Sequence, residues 1–373
     1  MSAVLWLNFL FIIYVGVFLY QIALNLFFLK TKLTSKSQVL KENDNSGISI
    51  IVCAHDEAYN LNKNLNSLLN QKGVSFEVIV VDDHSTDATF SVLKDFQKKN
   101  PFLKCIQLNS NQKSKRKALT AGVKAATYEN ILVTDADCQP ANENWASLFL
   151  NKITQEKQLI LGASPYYLEK TYVNQLIQIE TFQTAIQFLS FAKKQMAYMG
   201  LGRNMAFTKQ VFQKYSQYEV DKNMTSGDDD MFVQRVPQKY IDILTLPESF
   251  TFSQGKQSLK NWWRQKRRHY TTAPSYIPKD QIILSLNGLS LLLFWLSSIF
   301  LIFYSMNVLC YSMNVLWFVA IFIIIKSFVF KKHHKLNNQQ EIKWYWPLLD
   351  LNLVIFQTLI ILQNLFHKPK FWS

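Results

Sequence analysis

Long apolar stretches bracket this chain and dictate its architecture. Residues 3–29 are interrupted only by Asn8, Gln21 and Asn25 as strongly polar side chains, and residues 282–304 and 308–330 form two further apolar runs. Lipid offers no partner for backbone N–H and C=O groups, so such runs must fold as helices, and about 20 residues cross a bilayer. No basic residue precedes the first run and no small-residue cleavage site follows it, so a retained anchor is expected rather than a cleaved signal peptide. Lys30, Lys32, Lys36 and Lys41 come directly after it and Lys331, Lys332 and Lys335 after the third run, which puts those ends on the cytoplasmic side. The uncharged link Ser305-Met306-Asn307 suits the outer side. Residues 344–366 are long enough to span but carry Pro347, Asp350, Asn352, Gln357 and Gln363. They read as a third C-terminal span with polar residues facing other helices, or as a helix lying along the interface; the basic tail with Lys368 and Lys370 disfavours an outside C-terminus.

These limits divide the chain into an anchor (1–29), a linker (30–47), a soluble domain (48–250), a basic and aromatic interfacial segment (251–280), two membrane helices (281–304 and 308–330) and the ambiguous helix 344–366. The result is an integral membrane protein, of a bacterial inner or cell membrane, with a cytoplasmic soluble domain large enough for its own core. The net charge of +14 favours anionic partners. Lysine supplies most of it. Arginine, the better bidentate phosphate ligand, stands only at positions 116, 203, 235, 264, 267 and 268, so these positions are candidates for sites. Cys53, Cys105, Cys138 and Cys310 show no Cys-x-x-Cys spacing, which fits a reduced, cytosol-facing domain with buried thiols.

Inside the soluble domain, apolar β-branched runs alternate with helical periodicity. Residues 48–53 predict a first strand, and Leu61, Leu65, Leu68 and Leu69 a helix. Residues 76–81 predict a second strand, followed by a helix capped by Ser85; residues 105–108 predict a third, residues 117–128 a helix, and residues 130–134 a fourth strand. This alternation implies an α/β domain with a mainly parallel sheet, whose ligands bind beyond the carboxyl ends of the strands. Three of the four predicted strand ends are polar or acidic: Ala54-His55-Asp56-Glu57, Asp82-Asp83-His84-Ser85 and Asp135-Ala136-Asp137. Two carboxylates one residue apart at a strand end share a side and can hold one hard cation. Cys138 is a poor ligand for such an ion. No Gly-x-Gly-x-x-Gly follows the first strand and no P-loop is present, so phosphates must be neutralised by a metal and basic side chains. Lys113, Lys115, Arg116 and Lys117 can supply that charge, or form a solvated helix start. On its own, Asp228-Asp229-Asp230 reads first as an acidic helix N-terminus.

In that order the pieces resemble family 2 glycosyltransferases of the GT-A fold over residues 48–270. Residues 49–57 resemble the opening strand, Val81-Asp82-Asp83-His84-Ser85-Thr86-Asp87 the family's Val-Asp-Asp-x-Ser-x-Asp, and residues 115–122 its Lys-x-x-Ala-Leu-Asn-x-Gly. Asp135-Ala136-Asp137 resembles the metal motif, Gly227-Asp228-Asp229 with Arg235 the catalytic motif, and Gln265-Lys266-Arg267-Arg268-His269 the Gln-x-x-Arg-Trp segment, with His replacing Trp. The resemblance implies that Ala54 and Glu57 border the base, Asp82 and Asp83 touch base or ribose, Lys115 meets the diphosphate, Asp135 lies near the ribose and Asp137 binds Mg2+ or Mn2+. It makes Asp229 the general base, six residues before Arg235, with Gln265 and Arg268 closing over donor and acceptor.

The implied activity is inverting transfer of a hexosyl or N-acetylhexosaminyl group from a nucleotide sugar, a UDP-sugar first among them, to a lipid-linked or envelope glycan acceptor. Proton removal by a positioned carboxylate and charge stabilisation by a cation suit that chemistry. His269 in place of Trp, and few spans, favour transfer of one or a few sugars over a processive polysaccharide synthase. The rival of another class is a silent sugar-nucleotide-binding subunit of an envelope assembly complex. Basic and aromatic residues interleave over 256–270, where a membrane interface with an active-site lid is favoured over single-stranded nucleic acid.

Overall fold

The computed structural model describes residues 2–33, 47–109, 114–217, 227–304, 309–338 and 342–367. Lys36, Lys41, Lys113, the 305–307 link, Lys368 and Lys370 lie outside the described residues. In chain order the elements are α1 (Ser2–Lys30), β1 (Gly47–Ala54), α2 (Ala58–Leu69), β2 (Ser75–Asp82), α3 (Thr89–Lys99), β3 (Leu103–Gln107), α4 (Lys115–Ala125), β4 (Asn130–Asp135), β5 (Gln139–Pro140), α5 (Trp145–Lys152), β6 (Leu159–Gly162) and α6 (Tyr172–Lys193). There follow β7 (Met205–Thr208), α7 (Lys209–Tyr215), α8 (Asp228–Arg235), β8 (Ile241–Leu244), β9 (Thr251–Phe252), α9 (Leu259–Tyr270), α10 (Pro278–Tyr304), α11 (Leu309–Lys332) and α12 (Trp346–Phe366).

The main sheet runs β3-β2-β1-β4-β7-β6-β8. The predicted parallel ladder holds for β1 to β4, and β6 pairs with β8 in parallel; β7 is inserted antiparallel between β4 and β6. Alternation along β1 sends Ile48, Ile50 and Val52 to the side of α2 and α5, and Ile51 to the side of α4 and α6. Both faces are therefore dry, as the near-continuous apolar runs require. The register sets Ala54 opposite Asp82 and Cys53 opposite Asp135, so the three acidic or polar strand ends open on one edge.

The Ser85 cap is corrected. Helix α3 starts at Thr89, and the Ser85 hydroxyl instead accepts from the Asp56 amide. Asp56, held at φ 55°, takes the Thr86 and Asp87 amides on its carboxylate, and Asp87 takes those of Ala58 and Thr89. The two loops thus satisfy one another's amides before the helix begins.

Four helices among the described residues are long and apolar enough to cross a membrane, at residues 5–30, 278–304, 313–332 and 346–366. Helices α1, α10 and α11 pack through rings: Tyr14 and Phe18 against Phe294 and Phe318, with Phe18 and Phe318 stacked at 4.6 Å. At Asp350 of α12, fully buried, three other helices meet: Lys326 of α11 at 2.7 Å, Gln183 of α6 at 2.7 Å and the Trp295 indole of α10 at 3.1 Å. Cys53, Cys105 and Cys138 are free thiols.

Candidate active site

A cavity of about 690 Å³ opens at the carboxyl ends of β1 and β4. One wall carries Ala54, Glu57, Asp83, Lys115, Asp135 and Asp137; the other carries Asp228 and Asp229 of α8 and Gln265, Arg268 and His269 of α9. Residues up to 215 apart in sequence therefore converge, because the sheet supplies one wall and helices after it supply the other.

Each side chain on the sheet wall is fixed by neighbours. Lys115, in the first turn of α4, places Nζ 2.5 Å from Asp135 Oδ1. Burial works against both charges. Yet Lys115 holds the Asp135 carboxyl below its usual range, and Asp135 with Asp229 holds the Lys115 ammonium above its own. Helix α4 begins cleanly because Ser114 caps the Lys117 amide, and Asp83 accepts from the Ser114 amide at 2.8 Å. Asp137 is different: burial and then Asp135 push its carboxyl up, and its hydrogen-bond donor is the Cys138 thiol at 3.4 Å. Cys138 thus orients Asp137. Burial also raises Glu57, which accepts from Asn60 at 2.6 Å.

Asp82 departs from its expected role. It is fully buried beneath the loop and does not line the cavity; Oδ1 accepts from the Ser85 amide, and Oδ2 has no hydrogen-bond partner among the described residues. Adjacent residues at a strand end point to opposite faces, so only one of Asp82 and Asp83 can reach the cleft.

On the opposite wall the three consecutive aspartates separate. Asp230 is buried, accepts from the Tyr276 hydroxyl at 2.5 Å, and is held well above the usual carboxylate range by burial and by Asp229. Asp228 lines the cavity with its carboxyl raised by burial and then by Asp229. Asp229 accepts from the Gly202 amide at 2.7 Å through Oδ2, which leaves Oδ1 on the Asp230 amide at 3.2 Å. Gly227, at φ 94°, turns the chain into α8, and a methyl group there would collide with Thr272, just after α9. Gly227→Ala should therefore destabilise the fold by about 1–3 kcal/mol and displace Asp229. A lowered melting temperature would register this, with Gly288→Ala inside α10, which meets nothing within 4 Å and should be neutral to stabilising, as the control.

Arg203 and Glu180 were not marked by the motifs. Arg203 donates to Ser164 O at 2.7 Å and Ser253 Oγ at 3.1 Å, lies 4.4 Å from the centre of the Tyr166 ring, and faces Asp137 across the cavity. The scarcity of arginine was its one signal. Glu180 of α6 pairs with Lys266 of α9 at 2.5 Å, and no sequence pattern announces it. Trp262 of α9 is buried and stacks on Phe356 of α12 at 4.3 Å, and Trp263 meets the same ring edge-on at 5.1 Å. These rings are taken by protein rather than offered to bases. Among the described residues, no three His, Cys, Asp or Glu side chains are grouped to hold a metal ion.

Known proteins resemble this chain in sequence or in fold. Over 229 residues the chain is 28% identical to a protein named probable glycosyltransferase YdaM of Bacillus subtilis, covering 59% of this chain and 54% of that one. Over 113 residues it is 33% identical to a poly-beta-1,6-N-acetyl-D-glucosamine synthase of Staphylococcus epidermidis, covering 30% of this chain and 27% of that one. The aligned part spans about half of the first relative's length and about a quarter of the second's. The mannosyltransferase PcManGT from Pyrobaculum calidifontis, solved in complex with GDP-Man and Mn2+, superposes with a TM-score of 0.62 at 15% identity, covering 97% of this chain and 99% of that one, which shows a common fold. Residues 49–216, somewhat under half of the chain, match the family model described as glycosyl transferase family 2, and this stretch, which carries the strand-end carboxylates, is a domain similar to that family.

Proposed function

We propose that this protein is a membrane-bound, inverting glycosyltransferase that moves a sugar from a nucleoside diphosphate to a lipid-linked or envelope glycan acceptor. The observation that carries this reading is the facing of two walls in one cavity: Lys115, Asp135 and Asp137 on one side, Asp229 with Gln265 and Arg268 on the other. The donor's base would lie by Ala54, Glu57 and Asp83 and its ribose by Asp135. Asp229 would take the proton from the attacking acceptor hydroxyl, since its neighbours are a raised Asp228 and a buried Asp230. Lys115, Arg203 and Arg268 would face the charge that grows on the departing diphosphate.

The residues fit a divalent cation of the Mg2+ or Mn2+ kind. The motif offers hard oxygen donors, and with Lys115 engaging Asp135, Asp137 is the carboxylate left to hold the ion, completed by diphosphate oxygens and water. When bound, that ion supplies positive charge to the leaving diphosphate. The catalytic domain faces the cytoplasm in this reading, on the side of the lysines that follow α1 and end α11.

The Staphylococcus relative is named for N-acetyl-D-glucosamine, so UDP-N-acetylglucosamine is the first donor to test. That name also keeps polymer elongation in play, and product length on purified protein decides it: one or a few added sugars support the lipid acceptor, a ladder of long oligomers the synthase. The decisive binding test is thermal denaturation with nucleotide sugars, with and without Mn2+. At a hundred-fold excess over Kd, binding should stabilise the fold by about 2.7 kcal/mol. Asp137→Ala should lose the Mn2+-dependent part. If no nucleotide sugar raises the melting temperature in either condition, the reading is wrong.

A further inference from the structure

Helix α12 has the length and composition of a membrane span, but its contacts run along the catalytic domain instead of away from it. At its start, the Tyr345 hydroxyl donates to Gln175 of α6 at 3.1 Å, and Trp346 meets Ser327 and Phe330 near the end of α11. That end of α11 is the catalytic-side end: Lys332 and His333 just past it reach the backbone of Leu29 and Phe28 at the end of α1, whose Phe27 and Phe28 rings touch Phe191 of α6. In its second turn Asp350 bonds Gln183 of α6, and at mid-helix Phe356 stacks on Trp262 of α9. At the far end, Gln363 accepts from the Trp263 indole at 2.7 Å, while Asn364 accepts from Arg267 Nε at 2.9 Å and donates to Arg267 O at 2.9 Å.

A 21-residue helix is about 31 Å long at ~1.5 Å per residue, so a spanning α12 would carry its last turn to the opposite face of the bilayer. Its last turn is instead bonded to α9, a helix with five lysine and arginine residues whose Gln265 and Arg268 line the cavity. Both ends of α12 therefore stand at the same face. Its outer side is a stripe at helical spacing, Leu348, Ile355, Leu359, Leu362 and Phe366, 41–79% exposed, while Leu349, Leu353 and Val354 are buried on the inner side.

We propose that α12 does not cross the membrane. It lies in the catalytic-side leaflet with this stripe against lipid acyl chains, and it carries α9 on its inner side. The lipid surface is the occupant because the exposed apolar residues of α12 need the same apolar surroundings as those of α10, where Ile282, Leu286, Leu289 and Leu293 are 38–60% exposed, while both ends of α12 are tied to catalytic-side elements. Three spans then remain among the described residues, and His367, just past α12, stands on the side of the catalytic domain. This placement does not depend on the proposed reaction.

The test uses the full chain with an epitope tag after Ser373, in sealed membrane vesicles of one orientation treated with protease from outside. Digestion of the tag and of the catalytic domain should go together: both cut in inside-out vesicles, both protected in right-side-out ones. A tag protected where the catalytic domain is cut would overturn the proposal, because α12 would then span. A photo-reactive diazirine side chain installed at Leu362 should in addition capture lipid, while one at Leu353 should capture protein. Failure of Leu362 to capture lipid would equally sink the lipid-facing stripe.

Discussion

Asp229→Asn should lose sugar transfer by about 10²–10⁴-fold and keep nucleotide-sugar binding. The exchange preserves shape and preserves an acceptor for the Gly202 amide, so α8 should stay in place; what disappears is the ability to hold the acceptor's proton. Its neighbours make poor substitutes: Asp230 is committed to Tyr276 and the interior, and Asp228 is already pushed toward its neutral form by burial. Transfer measured with a saturating donor, beside donor-induced thermal stabilisation, separates the two effects. Unchanged transfer would remove Asp229 as the base. Loss of transfer with binding intact would also dispose of the reading in which the chain is a silent nucleotide-sugar-binding subunit.

The second large effect lies far from the chemistry. Lys326→Ala should destabilise the protein by about 3–5 kcal/mol, because it strands the Asp350 carboxylate, which is fully buried among Lys326, Gln183 and Trp295. Lys326 also lies 5.4–5.7 Å from the ring centres of Phe322, Phe330 and Trp346, contacts that alanine would lose as well. Removing both charges with Lys326→Met and Asp350→Leu should recover most of the loss, since a well-packed apolar pair avoids the desolvation of two ions. Melting curves in detergent or lipid discs compare the variants. A single alanine variant as stable as the parent would show that the pair does not tie α11 to α12 and α6.

The donor half of the fold was legible because its signals are local. Strands β1, β2 and β4 are apolar runs of six to eight residues ending at or just before acidic groups, and α2 between the first two shows regular leucine spacing. Strands β6, β7 and β8 are four residues each and owe their conformation to pairing with distant partners, so no local pattern marks them. The same distinction governs the site. Lys115, Asp135, Asp137 and Asp229 sit in short motifs and reach the cavity. Asp82 sits in a motif too, yet the two-residue pleat turns it inward. Arg203 and Glu180 matter through partners 50 and 86 residues away, Ser253 and Lys266, which only the folded chain brings to them. The duality of Asp228-Asp229-Asp230 also resolves: the segment is both a helix N-terminus and a cavity wall, and the two roles fall on different aspartates.

The strand order carries a consequence for biosynthesis. Strands β3, β2, β1 and β4 are neighbours both in the sheet and in the first part of the soluble chain, so the strand-end wall of the cavity can form as soon as Asp135 has left the ribosome. Arg268 follows about 130 residues later, several seconds to half a minute at ~5–20 residues per second. Helices α10 and α11, which hold α6 and α12 in place, come later still. A half-made chain thus already owns one wall of the cavity but not the other, and the second wall is fully supported only when α12 has come to rest against α9.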